Sequence, residues 1–153
     1  MTSSNYDVTA TTTAPPAVVW RLLLDARTWP QWTPIDELVV DRSTGLGPDN
    51  GSTQVGSVRA FRVGEGVTGE RVTELVDERR FSYEDAFIDV MSDYQASIEL
   101  TPTPTGTTIR WHGTYTPAPG MESVLPDYLR DFMQQMADGL ATHAASLTKT
   151  TDG

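Results

Sequence analysis

The chain has 153 residues, which is the size of one domain with a proper core, here expected over residues 1–153 with its core at 5–147. Eleven basic residues against twenty-one acidic ones leave a net charge of −10, which repels a phosphate backbone and argues against a nucleic-acid partner. Zero cysteines exclude disulfides, thiolate metal sites and a cysteine nucleophile, and no apolar run reaches the length of a membrane span. The first ten residues lack the basic and apolar regions of a secretory signal, so a cytoplasmic location is the expectation.

Residues 5–13 are rich in Thr and Val and read as a strand. Pro15-Pro16 then opens a short helix, with Val19, Trp20, Leu23 and Leu24 as its apolar stripe. Residues 27–33 form a second short helical piece carrying Trp29-Pro30-Gln31-Trp32, and residues 35–41 return to strand. Residues 43–56 hold four glycines and a proline and read as loop, a weak candidate for a lid. Strands are expected over 55–63 and 67–76, paired as a hairpin around Gly64-Glu65-Gly66, then over 80–87, 93–101 and 107–116. In the last of these Ile109, Trp111 and Tyr115 share one parity and His112 the other. That puts His112 outside if Trp111 is inside.

The chain closes on a long amphipathic helix. Leu125, Leu129, Phe132, Met136, Leu140, His143 and Leu147 recur at steps of three, four or seven, while Asp127, Arg130, Asp131, Gln134 and Asp138 fall on the other face. His143 reads as a core histidine, and the tail from residue 148 as frayed. The fold class is therefore α+β: a seven-stranded antiparallel sheet curved around one C-terminal helix, with two short helices after the first strand. A sheet bent around a helix leaves a space between them, and that space is where a ligand would sit.

These residues resemble a known superfamily. Ala14-Pro15-Pro16-Ala17-Val18-Val19-Trp20, followed by Asp25, Trp29 and Trp32, is similar to the opening of the START-like, or Bet v 1-like (SRPBCC), superfamily, in particular its bacterial polyketide cyclase/dehydratase and lipid-transport branch. Gly56-Ser57-Val58-Arg59, Glu70-Arg71-Val72, and Gly106 through Trp111 continue the likeness, which covers residues 5–147. The resemblance implies a helix-grip fold and places an arginine and a glutamate at the positions of Arg59 and Glu70 in the pocket. It also places a pocket tyrosine at the position of Tyr94. Cyclases, carriers, receptors and chaperone activators share this fold, so it leaves the activity open.

If the hairpin turns on Gly64-Glu65, Arg59 lies opposite Glu70 and Phe61 opposite Thr68, all on the face of Val63. That face is either concave, with an ion pair beside an apolar cavity, or solvated, with an ordinary cross-strand pair; a three-residue turn would separate the two. Glu70 could act as a general base if burial raised its pKa, but the guanidinium opposite would push the pKa down, so the pair suits recognition better than proton transfer. Trp32, Phe61, Tyr83, Phe87, Tyr94, Trp111, Tyr115, Met121, Leu125, Phe132 and Met136 are the candidate lining, against the plainer reading that they only fill the core. Phe87, Ile88, Val90 and Met91 are apolar for a turn and read as a gate, a dimer contact, or merely more strand. Phe81, Tyr83, Asp85 and Phe87 share a parity, so either Asp85 points inward with a role or the strand ends before it.

Two functions follow as expectations. One is binding of a small hydrophobic molecule, such as a lipid, polyketide or aromatic compound, with polar anchoring by Arg59, Glu70 and Tyr94. The other is a cyclase/dehydratase-type enzyme in which Glu70, Arg59 and Tyr94 are the catalytic groups. A partner-binding role through residues 87–91 ranks below both. The spacing of acidic and histidine residues suggests no metal site, no nucleotide motif is present, and no cofactor is expected. The chain is expected to act as a monomer or homodimer.

Overall fold

The computed structural model describes residues 3–47 and 53–149, so residues 48–52 of the glycine-rich segment and the tail from 150 lie outside it. Its elements run β1 (Ser4–Thr12), α1 (Pro16–Leu24), a 3-10 turn (Ala26–Thr28), α2 (Trp29–Trp32), β2 (Glu37–Leu38), a second 3-10 turn (Val40–Arg42), β3 (Val58–Val63), β4 (Gly66–Val76), β5 (Arg80–Phe87), β6 (Met91–Thr103), β7 (Gly106–Pro117) and α3 (Leu125–Lys149). The seven strands form one antiparallel sheet in the order β1-β7-β6-β5-β4-β3-β2, with α3 across its inner face. This is the predicted α+β architecture.

Alternation of side chains dictates which face is buried. Along β1, Tyr6, Val8 and Ala10 are buried while their neighbours are exposed, and along β7 Ile109, Trp111 and Tyr115 are buried between half-buried or exposed neighbours. Trp29, held at the start of α2 with its indole N–H donating to the Leu23 carbonyl at 3.1 Å, fills the centre of the core. It stacks on Phe61 at 5.3 Å and meets Trp111 edge-on at 5.6 Å.

Two elements differ from expectation. The strand expected over 35–41 pairs only at Glu37 and Leu38, and the chain then curls into the second 3-10 turn. Ser43 secures that curl: its Oγ donates to the Val39 carbonyl and accepts from the Ala60 amide, at 2.8 and 2.9 Å. Short edge strands of this kind resist pairing with other chains. In α3, Leu125, Leu129, Met136 and Leu140 are buried as the spacing predicts, but Leu147 is 41% exposed and His143 is half-buried. A seven-residue step drifts about 20° on a straight helix, so Met133, Ala137, Ala141 and Ala144 complete the inward stripe.

Gly139 lets α3 seat against α2. A Cβ there would stand 1.8 Å from the Trp32 carbonyl oxygen. Gly139→Ala is therefore expected to destabilise the protein by about 1–3 kcal/mol, although alanine favours a helix by about 1 kcal/mol. A lowered urea midpoint with an unchanged m-value checks this. Two residues on, Thr12 Oγ1 donates to the Ala141 carbonyl at 2.8 Å, so β1 and α3 are also joined by a buried hydrogen bond. None of the described helices is long and apolar enough to cross a membrane.

Candidate functional site

The β3–β4 hairpin turns on Gly64-Glu65, with Val63 paired to Gly66. Gly64 takes the positive φ of 62° that a two-residue turn with glycine first requires. The register follows: Arg59 stands opposite Glu70 and Phe61 opposite Thr68, on the concave face. Arg59 is fully buried, and its Nη2 donates to Glu70 Oε1 at 3.0 Å. Nε and Nη1 have no hydrogen-bond partner among the described residues. Ring faces surround the guanidinium instead, with its carbon 4.2 Å from the Trp29 ring centre and 4.8 Å from that of Phe81. Phe61 and Tyr83 complete the box at 5.3 and 5.6 Å.

Glu70 retains 15% exposure of its side chain, on the wall of a cavity of about 150 Å³ between the sheet and α3. Burial raises its pKa, and the attraction of Arg59 offsets only part of that rise. The direction is opposite to the one the guanidinium alone would impose, because removing the carboxylate from water outweighs a single ion-pair contact. The other walls are Trp29, Ile35, Phe61, Val63 and Thr68 below, Ile88, Val90 and Met91 at one side, and Leu125, Tyr128, Leu129, Phe132, Met133 and Met136 of α3 above. Tyr83 and Tyr94 join Glu70, with Thr68 and Tyr128, as the polar residues of this lining.

The tyrosines form a cluster drawn from three strands. Tyr6 of β1 and Tyr83 of β5 both hydrogen-bond the Tyr94 hydroxyl of β6, the second at 3.1 Å. The Trp111 indole N–H donates to the Tyr83 hydroxyl at 3.0 Å. Burial holds all three phenols well above their ordinary pKa, so they stand neutral. Gly113 makes the cluster possible. It is the cross-strand partner of Tyr6, and a Cβ there would come within 3.0 Å of the Tyr6 ring.

Residues 4–145 match the family described as polyketide cyclase / dehydrase and lipid transport. The chain belongs to this family. Among solved structures, protein CV1439 from Chromobacterium violaceum is 24% identical, with a TM-score of 0.67 over 93% of this chain and 98% of that one. The di-domain ARO/CYC StfQ from the steffimycin biosynthetic pathway is 14% identical, with a TM-score of 0.74 over 99% of this chain and 52% of that one. Ara h 8.0201 is 16% identical, with a TM-score of 0.67 over 95% and 99%. At these identities the likeness is one of fold. No curated protein matches the sequence.

In this member of the polyketide cyclase / dehydrase and lipid transport family, the predicted residues divide into three groups. Phe61, Glu70, Tyr83, Tyr94, Leu125, Phe132 and Met136 line the cavity. Arg59 and Trp111 lie one layer behind, reaching it through Glu70 and Tyr83. Trp32, Tyr115, Met121 and Phe87 do not line it: Trp32 and Tyr115 are buried core, and Met121 packs on the core just before α3, its carbonyl accepting from the Leu125 amide. Phe87 is re-aimed by a β-bulge. Glu70 pairs with Asp85 but Gly69 with Phe87, so β5 carries one extra residue, and the Phe87 ring lies over Gly69 beneath the Arg42 guanidinium at 4.4 Å. Asp85 is half-buried beside Glu70 in register and does not line the cavity.

Of the apolar segment after β5, Ile88, Val90 and Met91 line the cavity. His112 lies on the outer face, its Nε2 2.7 Å from Glu99 Oε2. A larger groove of about 460 Å³ runs along that outer face, lined by Ser82, Gln95, Ser97 and Thr114 among others. Among the described residues no acidic or histidine cluster could hold a metal ion. Tyr6 and Trp29 were not among the candidate lining or anchoring residues. Tyr6 is buried on β1, but its bond to Tyr94 spans 88 residues of sequence and has no local signature.

Proposed function

We propose that this chain binds a small hydrophobic molecule of one or two rings, carrying an oxygen function, between the sheet and α3. The observation that carries this reading is the composition of the cavity, which is mainly apolar, its polar residues being Glu70, Thr68 and the tyrosines Tyr83, Tyr94 and Tyr128. Its volume supports rings over long acyl chains, since a dry cavity of about 150 Å³ accepts benzene. Phe61, Phe132 and Met136 would bury the ligand, and Glu70 and Tyr94 would orient it. Arg59 would hold Glu70 in place, and Trp111 would hold Tyr83.

Native mass spectrometry of the purified protein, with extraction of what co-purifies, tests the reading directly. Leu129→Trp, which fills the cavity from α3, is expected to weaken binding of bicyclic aromatic probes at least tenfold, read by quenching of tryptophan fluorescence. Unchanged affinity in that variant would move the site elsewhere.

A second reading is favoured by the raised pKa of Glu70. A carboxylate of increased basicity and neutral phenols in one dry cavity supply a base and an acid, as cyclisation and dehydration of a poly-ketone need. The fold likeness to StfQ, a di-domain ARO/CYC protein, lends this weight. Incubating a reactive poly-ketone with wild type and with Glu70→Gln separates the two. A product ratio differing from the uncatalysed one, and lost in the variant, would make the chain an enzyme.

A further inference from the structure

Among the described residues that line the cavity, Glu70 alone carries a charge. Its Oε1 accepts from Arg59 Nη2 at 3.0 Å, while Oε2 accepts no hydrogen bond among the described residues. Oε2 is not sealed off as Nε and Nη1 of Arg59 are, for the Glu70 side chain keeps 15% exposure on the cavity wall. A carboxylate offers about four acceptor positions, so a mainly apolar cavity holds an under-used acceptor here. The group stays ionised because Arg59 is fully buried, cannot shed its proton and has Glu70 as its hydrogen-bond partner.

The other polar groups supply no matching donor. Tyr6, Tyr83 and Tyr94 hydrogen-bond one another on all three sides, so each hydroxyl proton finds an acceptor within the cluster. The Trp111 N–H is taken up by Tyr83, and the remaining N–H groups of Arg59 lie among ring faces. The hydroxyls of Thr68 and Tyr128 donate as readily as they accept, so they favour neither kind of ligand. A ketone would give up its bound water for little, whereas a hydroxyl or ring N–H would meet a charged acceptor, a bond roughly twice as strong as one between neutral groups. A cationic donor gains less, because Arg59 already balances the carboxylate. We infer that Glu70 Oε2 selects neutral ring compounds carrying a hydrogen-bond donor, phenols above all, over ketones and hydrocarbons of the same shape. This rests on the proposed ligand cavity and makes the ligand's oxygen function a hydroxyl.

Bicyclic probes of similar shape test it: 5-indanol, which donates and accepts; indole, which only donates; 1-indanone, which only accepts; and indane, which does neither. The wild type is expected to bind 5-indanol and indole about tenfold more tightly than indane, with 1-indanone no better than indane. The N–H proton resonance of bound indole is expected downfield of its position in an apolar solvent. Glu70→Gln should reduce the preference for donors. Arg59→Met with Glu70→Leu, which removes both buried charges together, should bring the preference to parity and abolish the downfield shift. Equal binding of the probes, or tightest binding of 1-indanone, would overturn the donor selection and leave the cavity reading intact. A preference that survives the double replacement but is lost in Thr68→Val would overturn it too, by moving the acceptor to Thr68. Failure of every probe to bind would overturn the cavity reading and the donor selection with it.

Discussion

Glu70→Ala is expected to destabilise the protein by about 3–5 kcal/mol. The reason is what it leaves behind. Arg59 is fully buried and, among the described residues, makes a single hydrogen bond, the one to Glu70 at 3.0 Å, and a guanidinium cannot shed its proton. Without the carboxylate, a cation would remain under the cavity floor with only ring faces around it. At this chain length each kcal/mol moves the midpoint by about 2–4 °C, so a thermal scan would show a fall of roughly 6–20 °C.

The converse change is milder. Arg59→Met leaves Glu70, which keeps 15% exposure and is already pushed toward its neutral form, so it can take up a proton. The paired replacement Arg59→Met with Glu70→Leu removes both charges and is expected to recover most of the loss. A double-mutant cycle by urea denaturation measures the coupling. A loss below about 1 kcal/mol in Glu70→Ala would mean that the box of rings alone holds the charge.

Alkaline pH is expected to unfold the protein steeply. Burial raises the pKa of Tyr6, Tyr83 and Tyr94, so above pH 10 the folded chain keeps protons that the unfolded chain releases. The unfolded state then binds fewer protons, and stability falls as pH rises from 10 toward the folded values. Each phenol contributes about 1.4 kcal/mol per pH unit, and the three together about 4. Burial also raises the pKa of Tyr115, which adds to the slope with the same sign, while basic groups scarcely intrude because ten of the eleven are arginine. Urea midpoints at successive pH values give the slope, and Tyr94→Phe should lower it by about 1.4 kcal/mol per pH unit. Phenolate absorbance from these three side chains should appear with unfolding, not before it. A chain that stays folded through pH 12 with its buried phenols ionised would disprove the account.

The carboxylate acts with the same sign at the acid end. Its raised pKa means that its own contribution is most favourable below the ordinary glutamate range and declines as pH rises through it. Asp7 runs the other way, since Arg110 holds its carboxyl below the usual range. Asp7 is half-exposed, so its share is small.

Much of this molecule was legible in the chain because its signals are local. Alternation in β7, the 3.6-residue stripe of α3 and the two-residue turn at Gly64-Glu65 depend on neighbours a few positions apart. From them followed the sheet, the gripped helix and the pairing of Arg59 with Glu70. Other features have no local cause. The extra residue in β5 that turns Phe87 outward arises from pairing with Gly69, and parity counted along one strand cannot detect it. The sign of the Glu70 shift depends on how much water the whole fold removes, which a list of nearby charges does not contain. Tyr6, Tyr83 and Tyr94 meet only because β1 and β6 flank β7 and Gly113 leaves room between them. Sequence alone determined the scaffold and one ion pair, through periodicities set by backbone geometry. Tertiary structure decided the hydrogen-bond cluster and the basicity of the carboxylate, because both depend on burial and on contacts between distant strands.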